Sequence, residues 1–214
     1  MSEARMDMGT CEAAGELLPR DFYLRRAEVV ARELLGQRLV HVGPKGERLA
    51  GLIVETEAYL GGGDKAAHSY RGWTKRNAAM WLAGGHAYVY LIYGMHHCMN
   101  VVTGEEGDAS AVLIRAVAPS EGLGVMRARR KAAKRETDLC SGPGKLCEAL
   151  AIDRRGDGQD LLAGGPIRIE RARAGGYDGE EVVAAPRIGI GYAEEWTDRP
   201  LRFYLAGSGH VSRR

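Results

Sequence analysis

Apolar positions along the chain follow two different periods and switch between them several times. Val30, Ala31, Leu34 and Leu35 form one stripe at helical spacing, with Asp21 where a cap belongs and Gly36 where a helix stops. A helix is therefore predicted over 22–35. Arg38–Val42 and Leu49–Glu57 read as strands joined around the turn signal Pro44-Lys45-Gly46. Residues 61–77 form a long loop rich in glycine and charge, and loops of that length in compact domains often carry function. A short helix is predicted over Asn77–Leu82, ended by Gly84-Gly85. Ala87–Tyr93 and His96–Val102 are strands that bend back at Gly94, and Ala111–Val117 is a β-branched strand with Arg115 inside it. Pro119 is expected to end that strand and Ser120 to cap a helix over 121–135. A further helix is predicted over 143–151. Ile167–Ile169, Val182–Val183, Arg187–Ile190 and Leu201–Leu205 then read as short strands. Strands outnumber helices without alternating regularly with them. That favours an α+β fold: a single domain with a curved, mainly antiparallel β-sheet, flanking helices and a protruding β-hairpin. Residues 1–17 are polar or small and lack a period, so they are expected to be a flexible N-terminal tail before one domain over 18–214.

Composition adds exclusions. The 214 residues, 45% of them hydrophobic, suffice for one domain with a sizeable core. A net charge of +2 makes the whole barely basic, but residues 127–135 carry six cations and no acid. Such a run is either a solvated helix face or an attraction for phosphate backbone. Cys11, Cys98, Cys140 and Cys147 have neither zinc spacing nor a Cys-x-x-Cys pair. Reduced thiols in a cytoplasm are expected, with Cys98 a small buried hydrophobe and no metal site. No apolar run approaches the ~20 residues that span a bilayer, and the first residues lack an apolar signal core, so neither membrane insertion nor secretion is expected. Ser141-Gly142-Pro143-Gly144-Lys145 superficially resembles a phosphate loop. Leu146 stands where Ser or Thr is required and Leu139 where the first glycine belongs, which excludes a nucleoside-triphosphate site. A helix N-terminus meeting one phosphate stays open beside a plain turn.

The chemistry concentrates where an apolar strand runs into the glycine-rich loop, at Val54 to His68. Strand alternation puts Glu55, Glu57 and Tyr59 on one face. Two carboxylates and an aromatic fit poorly in an apolar core, so that face is either solvated or lines a cleft, with Glu57 the candidate general base. His68 can fold back from the loop over the same place. In the next strands Tyr88, Tyr90 and Ile92 point one way and Val89, Leu91 and Tyr93 the other. Tyr93 precedes Gly94 at a hairpin tip, where an aromatic can act as a wedge between bases. Asn100 offers an amide to a base edge or to the backbone. Arg115 is costly to bury unpaired, and Glu57 is a suitable partner.

The strings Val-Glu-Thr-Glu-Ala-Tyr-Leu-Gly at 54–61, Ala-Ala-His-Ser at 66–69, Arg-Asn at 76–77 and Tyr-Val-Tyr-Leu-Ile-Tyr-Gly-Met at 88–95 occur together with Cys-Met-Asn at 98–100 and Val-Leu-Ile-Arg-Ala at 112–116. They are followed by Leu-Cys-Ser-Gly-Pro-Gly-Lys-Leu-Cys at 139–147, Arg-Ile-Gly-Ile-Gly at 187–191 and Pro-Leu-Arg-Phe-Tyr at 200–204. In this order they resemble the alkyladenine (3-methyladenine) DNA glycosylase family, the monofunctional type of bacteria and mammals, over residues 17 to 212. The resemblance implies excision of alkylated purines (3-methyladenine, 7-methylguanine, with hypoxanthine or ethenoadenine as further candidates) from duplex DNA by a Glu-activated water, leaving an abasic site. Glu57 is then similar to the general base, with Arg115 and His68 helping to hold the water or the base. Tyr59, His68 and Tyr90 would sandwich the flipped base, and Asn100 would disfavour guanine. Tyr93 would be the wedge, with Lys145, Met95 and Arg76 against the DNA backbone. No cofactor or metal is implied, and double-stranded DNA is the expected partner of a monomeric, cytoplasmic, nucleoid-associated bacterial protein. Gly62-Gly63 stands where the mammalian pattern has a proline–acid pair, and His96-His97 where it has aromatics. A non-catalytic binder of damaged DNA and an unrelated hydrolase or transferase are the rival readings.

Overall fold

The computed structural model describes residues 15–172 and 179–214. Eight strands form one wholly antiparallel sheet: β1 (Arg38–Val42), β2 (Arg48–Tyr59), β3 (Ala87–Ile92), β4 (His96–Thr103), β5 (Ser110–Glu121), β6 (Ile167–Glu170), β7 (Val182–Ala185) and β8 (Arg202–Leu205). The spatial order is β3-β4-β5-β2-β1-β6, while β8 pairs with β2 and β7 with β8. Helices α1 (Arg20–Tyr23), α2 (Ala27–Glu33), α3 (Leu123–Arg129) and α4 (Pro143–Leu150) flank it. This is the expected α+β domain, with β3 and β4 as its hairpin.

Strand alternation divides the sheet into two chemistries. On one face Ala58, Val112, Ile114, Val101, Met99, Val89 and Ala87 pack into the main core with Leu34, Leu35, Leu146 and Leu150 from the helices. On the other face one register row carries Glu57, Leu113, Asn100 and Tyr88 across β2, β5, β4 and β3. Tyr59, Arg115, Cys98 and Tyr90 lie one step away on the same face.

The structure corrects several expectations. The helix expected over 22–35 is two helices. The Tyr23 carbonyl accepts from Gly104 N at 3.0 Å and the Phe22 carbonyl from the Arg25 side chain at 3.0 Å, which takes from the helix ladder two acceptors it would need to continue. Asp21 lies in the first turn of α1, after Pro19 at the cap position. β5 runs through Pro119 to Glu121. A missing N–H is tolerated there because β4 pairs with β5 only at Ser110–Leu113, and the bridge of Ala116 to Ser141, with Val117 N–H donating to the Cys140 carbonyl, ends before Pro119. Gly51 faces Pro119; a Cβ on it would come within 2.7 Å of the Ala118 carbonyl oxygen. α3 follows Gly122 (φ 74°) rather than Ser120 and stops at Arg129. Residues 187–190 are a loop, since Gly189 takes φ 80°, which a strand cannot use. Of the tail expected over 1–17, residues 1–14, including Cys11, lie outside the described residues, and Leu17 bridges to Glu170.

The basic run is largely neutralised. Arg127 pairs with Glu136, Arg129 with Glu47, Arg130 with Glu148 and Arg135 with Asp138. That arrangement fits the solvated-face reading. No helix among the described residues is long and apolar enough to cross a membrane.

Candidate active site

The polar face of the sheet opens into a cavity of about 230 Å³. An apolar cavity of ~150 Å³ already admits benzene, so this one has room for a bicyclic base. Its walls include Tyr59, His68, Tyr88, Tyr90, Asn100 and Arg115, with Tyr93 and Pro143 at the rim. Sequence alternation anticipates this clustering, since these strand residues share one face.

Glu57 is fully buried. Its Oε1 accepts from the Ile188 backbone N–H at 2.7 Å and lies 3.3 Å from Arg115 Nη1. Its Oε2 accepts from the Tyr59 hydroxyl at 2.9 Å. Glu57 is absent from the cavity wall, but the two side chains that hold it, Tyr59 and Arg115, are part of it. The partner expected for Arg115 is thus present. Alternation from Leu113 gives Arg115 its face; a register irregularity also falls there, since Glu55 pairs with Ala116 and Thr56 with Ile114, leaving Arg115 without a register partner on β2. Burial opposes the Arg115 charge, yet Glu57 and Glu55 outweigh it and keep the guanidinium pKa raised.

His68 Nδ1 lies 2.9 Å from the Tyr88 hydroxyl, and its ring meets Tyr90 edge-on, with centroids 4.5 Å apart. The Asn77 side chain holds this loop by donating to the carbonyls of His68 and Gly72, each at 3.0 Å. Asn100 is buried and donates to the Tyr88 carbonyl at 3.0 Å, so its amide satisfies backbone while its side chain lines the cavity. Burial pushes the Tyr59, Tyr88 and Tyr90 hydroxyls up, keeping all three protonated.

At the hairpin tip Tyr93 is 85% exposed and Met95 70% exposed. Tyr93 has φ 53° and Gly94 φ 69°. A left-handed conformation costs a bulky residue about 1–3 kcal/mol, and such cost is characteristic of functional positions. Arg76 sits 5.8 Å from the Tyr90 ring centroid and donates to the Leu91 carbonyl. Lys145 reaches Ser141 Oγ at 3.4 Å. Among the described residues no carboxylate pairs with Arg71, Lys75, Arg76 or Lys145.

Residues not singled out from the sequence complete the site. Arg187 makes a two-pronged, fully buried pair with Asp64 (2.5 and 2.9 Å), donates to the Ala58 carbonyl, and lies 4.6 Å from the centre of the Tyr59 ring. Asp64 also accepts from Leu60 N and Ala66 N. This pair fastens the glycine-rich loop to the loop that delivers Ile188 to Glu57.

Burial, assisted by Arg76, lowers the His68 pKa below its ordinary 6.5. The unfolded chain then binds the proton more readily than the folded one, so the stability contributed is full above pH 6.5 and declines as pH falls through that value. Replacing His68 with Gln should flatten the fall in urea midpoint between pH 7 and 5 relative to the wild type. An identical fall in both proteins would contradict this.

Comparison with known proteins converges on one family. The model described as methylpurine-DNA glycosylase (MPG) matches residues 21–209. The putative 3-methyladenine DNA glycosylase of Methanocella arvoryzae is 50% identical over 198 residues, 92% of this chain and 96% of that protein. The DNA-3-methyladenine glycosylases of Mus musculus and Homo sapiens are each 47% identical, over 93% and 90% of this chain, which spans 62% and 66% of those longer proteins. With an ordered set of motifs, a purine-sized cavity and this breadth of similarity, the chain belongs to the methylpurine-DNA glycosylase family of DNA-repair enzymes.

Proposed function

We propose that this protein flips alkylated purines out of duplex DNA and hydrolyses the N-glycosidic bond with a water activated by Glu57, leaving an abasic site. The observation that carries the reading is a carboxylate held by Arg115 and Ile188 immediately behind an aromatic cavity. Oε1 faces two donors, whereas among the described residues Oε2 accepts only from the Tyr59 hydroxyl. Oε2 is therefore the atom that takes the proton from water once a bound base shifts Tyr59. The carboxylate also stabilises the cationic sugar as the bond breaks.

Tyr59, His68 and Tyr90 hold the base. Stacking is worth roughly 1–3 kcal/mol per base and offsets the cost of flipping. Alkylation makes the purine cationic, and tyrosine faces add cation–π attraction for it. 3-Methyladenine and 7-methylguanine fit this chemistry directly, while neutral hypoxanthine or ethenoadenine would rely on stacking and hydrogen bonds. Asn100 on the cavity wall would crowd the exocyclic amine of guanine, a penalty that the cationic charge of 7-methylguanine has to offset. Tyr93 enters the duplex as the wedge, with Met95, Arg76 and Lys145 against the DNA backbone, and the protein acts as a monomer on DNA in the cytoplasm.

Tyr93→Asn tests the wedge. Asn tolerates the left-handed turn, so stability should hold or rise by up to about 1 kcal/mol, while affinity for a lesion duplex falls. Equal lesion affinity, measured by anisotropy, would remove Tyr93 from this role. Binding should also weaken with salt and be competed by plain duplex; salt-independent binding would favour the unrelated-hydrolase reading.

A further inference from the structure

The far side of Arg115 holds a second buried carboxylate that the reaction does not use. Glu55 is fully buried, and its Oε1 lies 3.4 Å from Arg115 Nε and accepts from Arg202 Nη1 at 2.9 Å. Its Oε2 accepts from the backbone N–H of Ser212 at 2.7 Å. The Ser212 hydroxyl in turn takes a long contact, 3.5 Å, from Arg115 Nη2, and Arg202 Nη1 also donates to the Arg213 carbonyl at 2.8 Å. Residues 212 and 213 thus lie as a strap across the back of the Glu55–Arg115–Glu57 row.

Arg115 stands between two carboxylates at similar distances, 3.4 and 3.3 Å, and its Nε lacks a hydrogen bond of good geometry. Nothing in Arg115 itself decides how it divides its charge between them. The division is set by how firmly the other donors occupy Glu55. With Ser212 N–H and Arg202 on Glu55, Arg115 is left to direct Nη1 at Glu57. Without the strap, Glu55 Oε2 loses its backbone donor, and the Arg115 and Arg202 guanidiniums beside the carboxylate are the donors left to satisfy it.

We propose that Glu55, held by the backbone N–H of residue 212, positions Arg115, and that the strap sets the rate of the chemical step from behind the cavity. The inference rests on Glu57 being the general base. Small displacements of a catalytic group are expensive, about 10- to 100-fold in rate for shifts near 1 Å.

Three variants test it: Glu55→Gln, a chain ended at Val211, and Ser212→Ala, which keeps the backbone N–H. Single-turnover excision, affinity for a lesion duplex and melting temperature are measured for each. The shortened chain and Glu55→Gln should excise about 10- to 100-fold more slowly, with lesion affinity within about twofold of the wild type. Ser212→Ala should stay close to the wild type. The shortened chain removes no core residue, so it remains informative where Glu55→Gln fails to fold. An unchanged rate in the shortened chain, or rate and affinity falling together, would overturn the proposal. Glu57→Gln run alongside separates the two levels: retained excision there defeats the general-base reading, whereas its loss with an unaffected shortened chain defeats only the strap.

Discussion

Glu57→Gln is expected to abolish base release and leave lesion binding intact. The amide preserves the size of the side chain: its oxygen can still accept from Ile188 N–H, while its NH2 donates to the Tyr59 hydroxyl oxygen, reversing that bond. It cannot take a proton from water or offset positive charge at the sugar. General-base catalysis alone is worth about 10²–10⁴-fold, and loss of charge stabilisation in a water-poor site adds to it. The single-turnover rate should therefore fall by at least about 10³-fold. Affinity for a lesion duplex should hold, because Tyr59, His68 and Tyr90, proposed to stack on the base, and Tyr93, the proposed wedge, are untouched. Single-turnover kinetics with quantified release of the free base measures the first quantity, and anisotropy the second. A variant that excises within tenfold of the wild type would remove Glu57 from the mechanism.

Arg187→Ala should produce the largest loss of stability. The pair with Asp64 is buried on both sides, so truncating Arg187 leaves a carboxylate with only the Leu60 and Ala66 N–H groups for support. Removing one partner of such a pair costs about 3–5 kcal/mol, which for a chain of this size is roughly 10 °C in melting temperature. The damage also has a direction. The loop that presents Ile188 to Glu57 loses its anchor to the glycine-rich loop, and Tyr59 loses the guanidinium beside its ring. Removing both charges with Arg187→Met and Asp64→Leu should recover much of the stability, because no unpaired ion remains. Urea unfolding of the three proteins decides it. A loss below about 1 kcal/mol for Arg187→Ala would mean that Asp64 is satisfied without its arginine.

The site divides by how local its physics is. Alternation in the strands is enough to put Glu57 with Tyr59, and Tyr88 with Tyr90, on shared faces, and a glycine after Tyr93 marks the hairpin tip. The cost of burying Arg115 alone points to a carboxylate partner. The remainder depends on contacts between distant segments. Ile188 reaches Glu57 across 131 positions and Arg187 reaches Asp64 across 123, and their apolar neighbours read as one more strand. The bulge that leaves Arg115 without a register partner on β2 leaves no mark in residue type. The split between α1 and α2 is set by Gly104 taking the Tyr23 carbonyl, a competition invisible in helix propensity. The basic run attracts notice as sequence because its carboxylate partners Glu47, Glu136, Asp138 and Glu148 stand outside it; folding brings them back. The positive charge left unpaired among the described residues beside the cavity is sparser and belongs to Arg71, Lys75, Arg76 and Lys145.

Hydrolysis of the glycosidic bond by water, without a covalent protein–DNA intermediate, is tested most directly by incubating the purified protein, with a chelator present, with a duplex carrying one 3-methyladenine-type or 1,N6-ethenoadenine lesion. Free base is quantified, and strand breaks are scored before and after alkali. Base release is expected, with breaks appearing only after alkali. Lesion-dependent binding with no release, or strand cleavage without alkali, would contradict it.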